Sequence, residues 1–256
     1  MKKLDDKTKR IIETVAYPLL SLVLVLGIWW IVADVKDKPL VLPTPDKVIV
    51  EFFKLFGEAE FWKAVGLTLL RTVICFAISF VLGFVCAVLG GLWTPVNKIL
   101  SPIISILRSA PTLAIILVMM LWLDGQTASV FVGFLIAFPL LYQGIYTAIV
   151  GVDKDLVEMA KFYKVKPHNI IFGLYSPEIA PAVFDVSKST ASLTLKVVIA
   201  AEVLTYARGS IGLEMQQANQ AFEVATLLGW TMLAILLSFV LEGIIIGIKK
   251  LWGLRK

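Results

Sequence analysis

The residues of this chain that could do chemistry are few and oddly placed. Arg71, Asp185, Lys188, Lys196, Glu202 and Glu242 all fall within long apolar stretches. A charge inside a hydrocarbon layer is costly, so each is by default a candidate for function. Asp185 and Lys188 stand three apart, a spacing that lets them pair along one helix. Lys188 and Lys196 differ by about 80° around a helix, and Lys196 and Glu202 by about 240°, so the last two do not share a face. Two lysines near mid-membrane would favour an anionic or carbonyl-rich solute. Glu202, near the outer end of the same stretch, suits gating or pairing at the helix end. Arg71 lies about two turns into its stretch and could snorkel outward; Glu242 suits packing or snorkelling. No acid–base or nucleophile set converges: there is one histidine, His168, and the serines are scattered. No catalytic residue and no metal ligand is assigned. Cys75 and Cys86 would lie about 16 Å apart along a straight helix, too far to bridge, and read as packing residues.

The elements that carry these charges follow from composition. Of 256 residues, 59% are hydrophobic and 17% charged, and the mean hydropathy is +0.88. A soluble chain is nearer 45–50% apolar and about 25% charged. Disordered, collagen-like, coiled-coil and disulfide-scaffold readings are excluded. What remains is an all-α polytopic membrane protein. A hydrocarbon core of about 30 Å needs about 20 apolar residues per helix. That rule predicts six spans: Val15–Ala33, Ala64–Trp93, Ile99–Leu123 (broken by Pro102 and Pro111), Ala128–Val150, Ile179–Val203 and Val224–Ile248. The fifth is the most polar, with Ser187, Ser189, Thr190, Ser192 and Thr194 between its charges. It should line a water-filled path or a dimer interface. The first span is longer than the apolar part of a signal peptide and is followed by no clear cleavage site, so it reads as a retained helix.

With the amino terminus inside, fifteen Lys and Arg lie on the inner side and six on the outer, the other three of 24 falling within spans. Both termini therefore face the cytoplasm. The chain divides into a cytoplasmic tail (1–14), one transmembrane domain (15–250) and a second tail (251–256). The net charge of +5 is a topology signal, and no basic patch with interleaved aromatics points to nucleic acid.

Two connecting segments are more than linkers. After the first span, Pro39, Pro43 and Pro45 forbid a continuous helix; Thr44 and Asp46 then open an amphipathic helix on the outer surface. Between spans four and five, residues 153–176 make a charged cytoplasmic knob. Asp153 N-caps its first helix, a turn falls at Tyr163–Lys166, Pro167 opens a second short helix and Pro177 ends it. A simple connection needs only a few residues, so an ordered knob implies a partner.

This knob resembles the cytoplasmic signature of the transmembrane subunits (permeases) of bacterial ABC importers. Glu158, Met159 and Ala160 take the places of its E-A-A, Lys164 stands where glycine is expected, Leu174 stands for isoleucine, and Ser176–Pro177 for Leu-Pro. Lys164 is the departure, and leaves the turn to VKPHN. LPTPDKV, LRSAPTLAIILVMMLW and VVIAAEVLTYARGSIGLEMQQANQAFEVATLLG are similar to the sulfonate/nitrate/taurine-type members, in order, over about 210 residues. The resemblance implies a type I importer permease fold and ATPase coupling through Glu158, Met159, Ala160, Lys164, Leu174 and Pro177. It implies a substrate path that could involve Arg71, Lys188, Lys196 and Glu202. It further implies a homodimer or permease pair in a bacterial cell membrane, two cytoplasmic ATPase subunits that bind ATP and Mg, and an extracytoplasmic binding protein. No cofactor is expected in this chain: it has no G-x-x-x-x-G-K-[ST], and Gly90–Gly91 reads as helix packing. The alternatives are an ATPase-independent secondary transporter, for which no inverted repeat is evident, and an intramembrane enzyme.

Overall fold

The computed structural model describes residues 16–36, 38 and 40–253. The amino-terminal tail (1–14) expected on the inner side, Val15, Asp37, Pro39 and the last three residues lie outside the described part. The helices, in chain order, are α1 (Tyr17–Lys36), α2 (Pro45–Leu55), α3 (Ala59–Leu92), α4 (Thr94–Ser109), α5 (Thr112–Trp122) and α6 (Gly125–Val150). There follow α7 (Lys154–Phe162), α8 (Pro167–Ile170), a π-helical turn (Ile171–Tyr175), α9 (Ser176–Thr205), α10 (Ile211–Gln220) and α11 (Val224–Leu251).

Four helices, α1, α3, α6 and α11, are long and apolar enough to cross a membrane. The expected third span departs from a straight helix. It is α4 and α5, bent by 97° at their junction. Pro111 restricts the residue before it, and Ala110 is held extended at φ −68°, ψ 132°. Pro102, also expected to break the span, lies inside α4. The expected fifth span is 30 residues long but less apolar than the others, because neighbours rather than lipid cover most of it.

A second correction concerns Pro177, which does not end the helix before it. Ile170, Ile171, Tyr175 and Ser176 all keep right-handed helical dihedrals. Chain from Pro167 to Thr205 is therefore one continuous rod. Proline cannot donate to the carbonyl four residues back, and the π-helical turn absorbs the fault: the Ser176 N–H bonds to the Ile171 carbonyl.

α6 sits at the centre, between α3 and α9. Small residues let the backbones close. A Cβ on Gly133 would lie 2.7 Å from Cys75 Sγ of α3, and one on Gly144 2.5 Å from Val186 Cγ2 of α9. Gly90 and Gly91 are packing residues, as expected: a Cβ would reach Tyr142 and Ile149 respectively. The end of the bundle away from α7 is closed by Phe52, Leu55, Phe61, Leu195, Ile211 and Trp230, which gather α2, α3, α9, α10 and α11. The amphipathic α2 is thus docked on protein, with Val48, Phe52 and Leu55 buried. α1 stands apart. Only Ala33 in it is buried, and Trp29 Nε1 donates to the Pro43 carbonyl at 3.1 Å.

Candidate functional site

Two constructions occupy opposite ends of the Pro167–Thr205 rod. At its amino-terminal end is the predicted hairpin. The Asp153 carboxylate accepts from the Asp155 N–H at 2.9 Å and caps α7. The helix closes at Lys164, in the left-handed region at φ 54°. There the Lys164 N–H bonds to the Lys161 carbonyl (2.9 Å) and the Val165 N–H to the Ala160 carbonyl (3.0 Å). This pair of bonds is the Schellman closure, in which the left-handed residue is most often glycine. The turn expected of glycine at this position is therefore made, by lysine and at the same residue. VKPHN supplies the entry to α8 rather than an alternative turn.

The hairpin presents its side chains outward. Glu158 and Lys164 are exposed, Met159 is 52% exposed, Phe162 82% and Tyr163 73%; Leu174 and Ala160 are half-buried and Pro177 is exposed. Of α7 only Val157 is buried. Phe162 and Tyr163 meet edge to face at 5.6 Å. Exposed aromatic rings rimmed by charge are what an interface requires.

At the carboxy-terminal end of the rod, Glu202 and Arg71 form a buried ion pair. Arg71 Nη1 donates to Glu202 Oε1 at 2.8 Å; Glu202 is 0% and Arg71 6% exposed. Thr68 Oγ1 donates to Glu202 Oε2 at 2.9 Å and accepts from the Ile211 N–H at 3.0 Å. The Gly212 N–H reaches the same carboxylate at 3.4 Å, and Arg71 Nη2 donates to the Arg208 carbonyl at 3.0 Å. A Cβ on Gly212 would collide with Glu202 and lie 2.5 Å from the Val203 nitrogen. This cluster ties α3, the end of α9 and the start of α10 into one knot. Arg71 consequently does not snorkel: its guanidinium satisfies a carboxylate that could not otherwise be buried. For Glu202, the structure realises the pairing alternative.

Two further α9 charges are also joined across helices. The predicted Asp185–Lys188 pair does not form. Asp185 accepts from Lys249 Nζ at 2.7 Å, and Lys188 lies 3.5 Å from Glu242. α9 and α11 run in opposite directions, so Asp185 and Lys188 each find a partner at their own depth on the neighbour. Glu242 thereby gains a role that its sequence position had not suggested. Most of the α9 hydroxyls point into protein: Ser187, Thr190, Ser192 and Thr194 are buried, and only Ser189 is exposed. Lys196 is exposed, and no salt bridge among the described residues includes it.

The family described as the binding-protein-dependent transport system inner membrane component matches residues 79–248. The chain belongs to this family. It is therefore a multi-pass membrane permease component, with the all-α fold of that class. Among its relatives is the taurine transport system permease protein TauC of Escherichia coli (strain K12), 23% identical, the match covering 87% of this chain and 83% of that one. The putative aliphatic sulfonates transport permease protein SsuC of Bacillus subtilis (strain 168) is 24% identical over 79% of this chain and 74% of its own. The nitrate import permease protein NrtB of Leptolyngbya laminosa is 24% identical over 73% and 69%. A solved inward-facing structure of the MetNI methionine ABC transporter shares the fold, with a TM-score of 0.63 at 18% identity, covering 75% of this chain and 95% of that one.

Proposed function

We propose that this permease is the membrane half of an ATP-driven importer and that the 153–176 hairpin docks on a separate cytoplasmic ATPase. The observation that carries the reading is the exposed tip of Met159, Phe162 and Tyr163 beside Glu158, set at the end of a helix that crosses the whole bundle. Two permeases pair above two ATPases, which bind ATP and Mg. A binding protein delivers a small solute to the outer face, and both termini face the cytoplasm. The names of the relatives favour an anionic solute of the sulfonate or nitrate kind.

Co-expression with an ATPase encoded beside it, followed by affinity capture, tests the reading. The parent chain should retain the ATPase, and Glu158→Lys and Phe162→Asp, still inserted in the membrane, should lose it. Retention by both variants would overturn docking through the hairpin, and solute uptake without any ATPase would establish the secondary-transporter alternative instead.

A further inference from the structure

Ala182, Asp185, Ser189, Leu193, Lys196 and Ala200 of α9 are all exposed, at successive spacings of three or four residues. Residues between them, such as Ala191 and Val198, are buried. The stripe is a single straight face of an otherwise enclosed helix. Its composition does not suit lipid: it carries a lysine, a serine and an aspartate among small residues.

Lys196 lies nine residues, about 14 Å, from the outer end of α9 and twenty residues, about 30 Å, from the inner end. Cα–Cβ bonds tilt toward a helix's amino terminus, here the inner end, so the amine is aimed away from the nearer interface. The acids that could neutralise it are committed: Glu202 to Arg71, Glu242 to Lys188 and Asp185 to Lys249. An identical partner related by a two-fold axis along the membrane normal cannot supply one either, because that axis keeps every residue at its own depth and the partner's acids there are the same committed ones. Lys196 and its copy would stand at one depth, two unneutralised cations that a dry interface does not tolerate and a water-filled one turns into an anion-attracting ring.

We infer that this stripe lines an aqueous path and that Lys196 is the residue that draws anions into it. The inference rests on the permease reading above but not on the ATPase. It is tested on the full chain in lipid nanodiscs with single cysteines at Ser189→Cys and Leu193→Cys. Ala191→Cys serves as the buried control and the parent chain corrects for Cys75 and Cys86. Two thiol reagents are compared, the anionic methanethiosulfonate ethylsulfonate and its cationic trimethylammonium counterpart, each rate divided by that for a free thiol. Both stripe positions should react with both reagents and prefer the anion, and Lys196→Gln should cut that preference on the order of ten-fold. Stripe cysteines no more reactive than Ala191→Cys, or a preference that Lys196→Gln leaves unchanged, would overturn the inference. Loss of ATPase capture with this labelling pattern preserved would overturn only the motor reading.

Discussion

Lys164 shows how a single residue can depart from an expected type while the backbone keeps its course. A left-handed residue other than glycine costs about 1–2 kcal/mol, partly offset by the greater freedom that glycine has in the unfolded chain. Lys164→Gly should therefore stabilise the hairpin by about 1 kcal/mol, read as slower amide hydrogen exchange at Val165, while Lys164→Val should loosen it. The Arg71–Glu202 pair predicts a larger effect. Arg71→Met strands a fully buried carboxylate, and removing one partner of such a pair costs about 3–5 kcal/mol. A fall in melting temperature should follow, and adding Glu202→Leu should restore part of it. Glu214 on α10 carries a pH signature. Burial, and then the charges of Glu58 and Glu60, hold its carboxyl above the usual range. The folded state thus binds this proton more tightly than the unfolded chain, and the ionised group subtracts stability once the pH exceeds its folded value. Glu214→Gln should raise the melting temperature at pH 7, and the gain should vanish as the pH falls below the ordinary glutamate value.

Among elements, the crossing of α6 with α9 depends on Gly144. Gly144→Leu would drive a side chain into Val186, and overpacking of this kind costs about 1–3 kcal/mol. Reduced yield and a lower melting temperature of detergent-purified protein would report it. The helices themselves were legible in the sequence because hydropathy over 20 residues records a membrane crossing directly: α1, α3, α6 and α11 start and stop within a few residues of the predicted limits. Prolines were less informative. The same residue type bends the chain at Pro111, rides inside a helix at Pro102 and passes through a π-helical turn at Pro177. Which of these occurs depends on whether neighbouring carbonyls find other donors, and that is a property of packing. Charge pairing was hidden for a similar reason. The spacing of Asp185 and Lys188 speaks of one helix, whereas Lys249 and Glu242 reach them from another more than fifty residues along the chain.

For the molecule as a whole, the 153–176 hairpin was legible from its Asp153 cap, its charge and Pro167, though not from Pro177, and its exposed apolar tip agrees with a docking role. Its docking can be quantified: Phe162→Ala should weaken ATPase capture by at least about 2 kcal/mol if the ring is a central anchor, measured by titrating the purified ATPase onto the permease in nanodiscs. The knot at Glu202 was not legible, because Thr68 and Arg71 of α3 meet Glu202 across more than 130 residues of chain. No local pattern records such a meeting.

The uninterrupted rod from Pro167 to Thr205 joins the two ends. At about 1.5 Å per residue its 39 residues span roughly 58 Å. A tilt imposed on its hairpin end reaches the knot at Glu202 through unbroken helix, with the π-helical turn before Pro177 and Pro181 within α9 as the places where it can bend. Two glycines inserted midway along it should leave the motor attached and burning ATP while solute stays where it is.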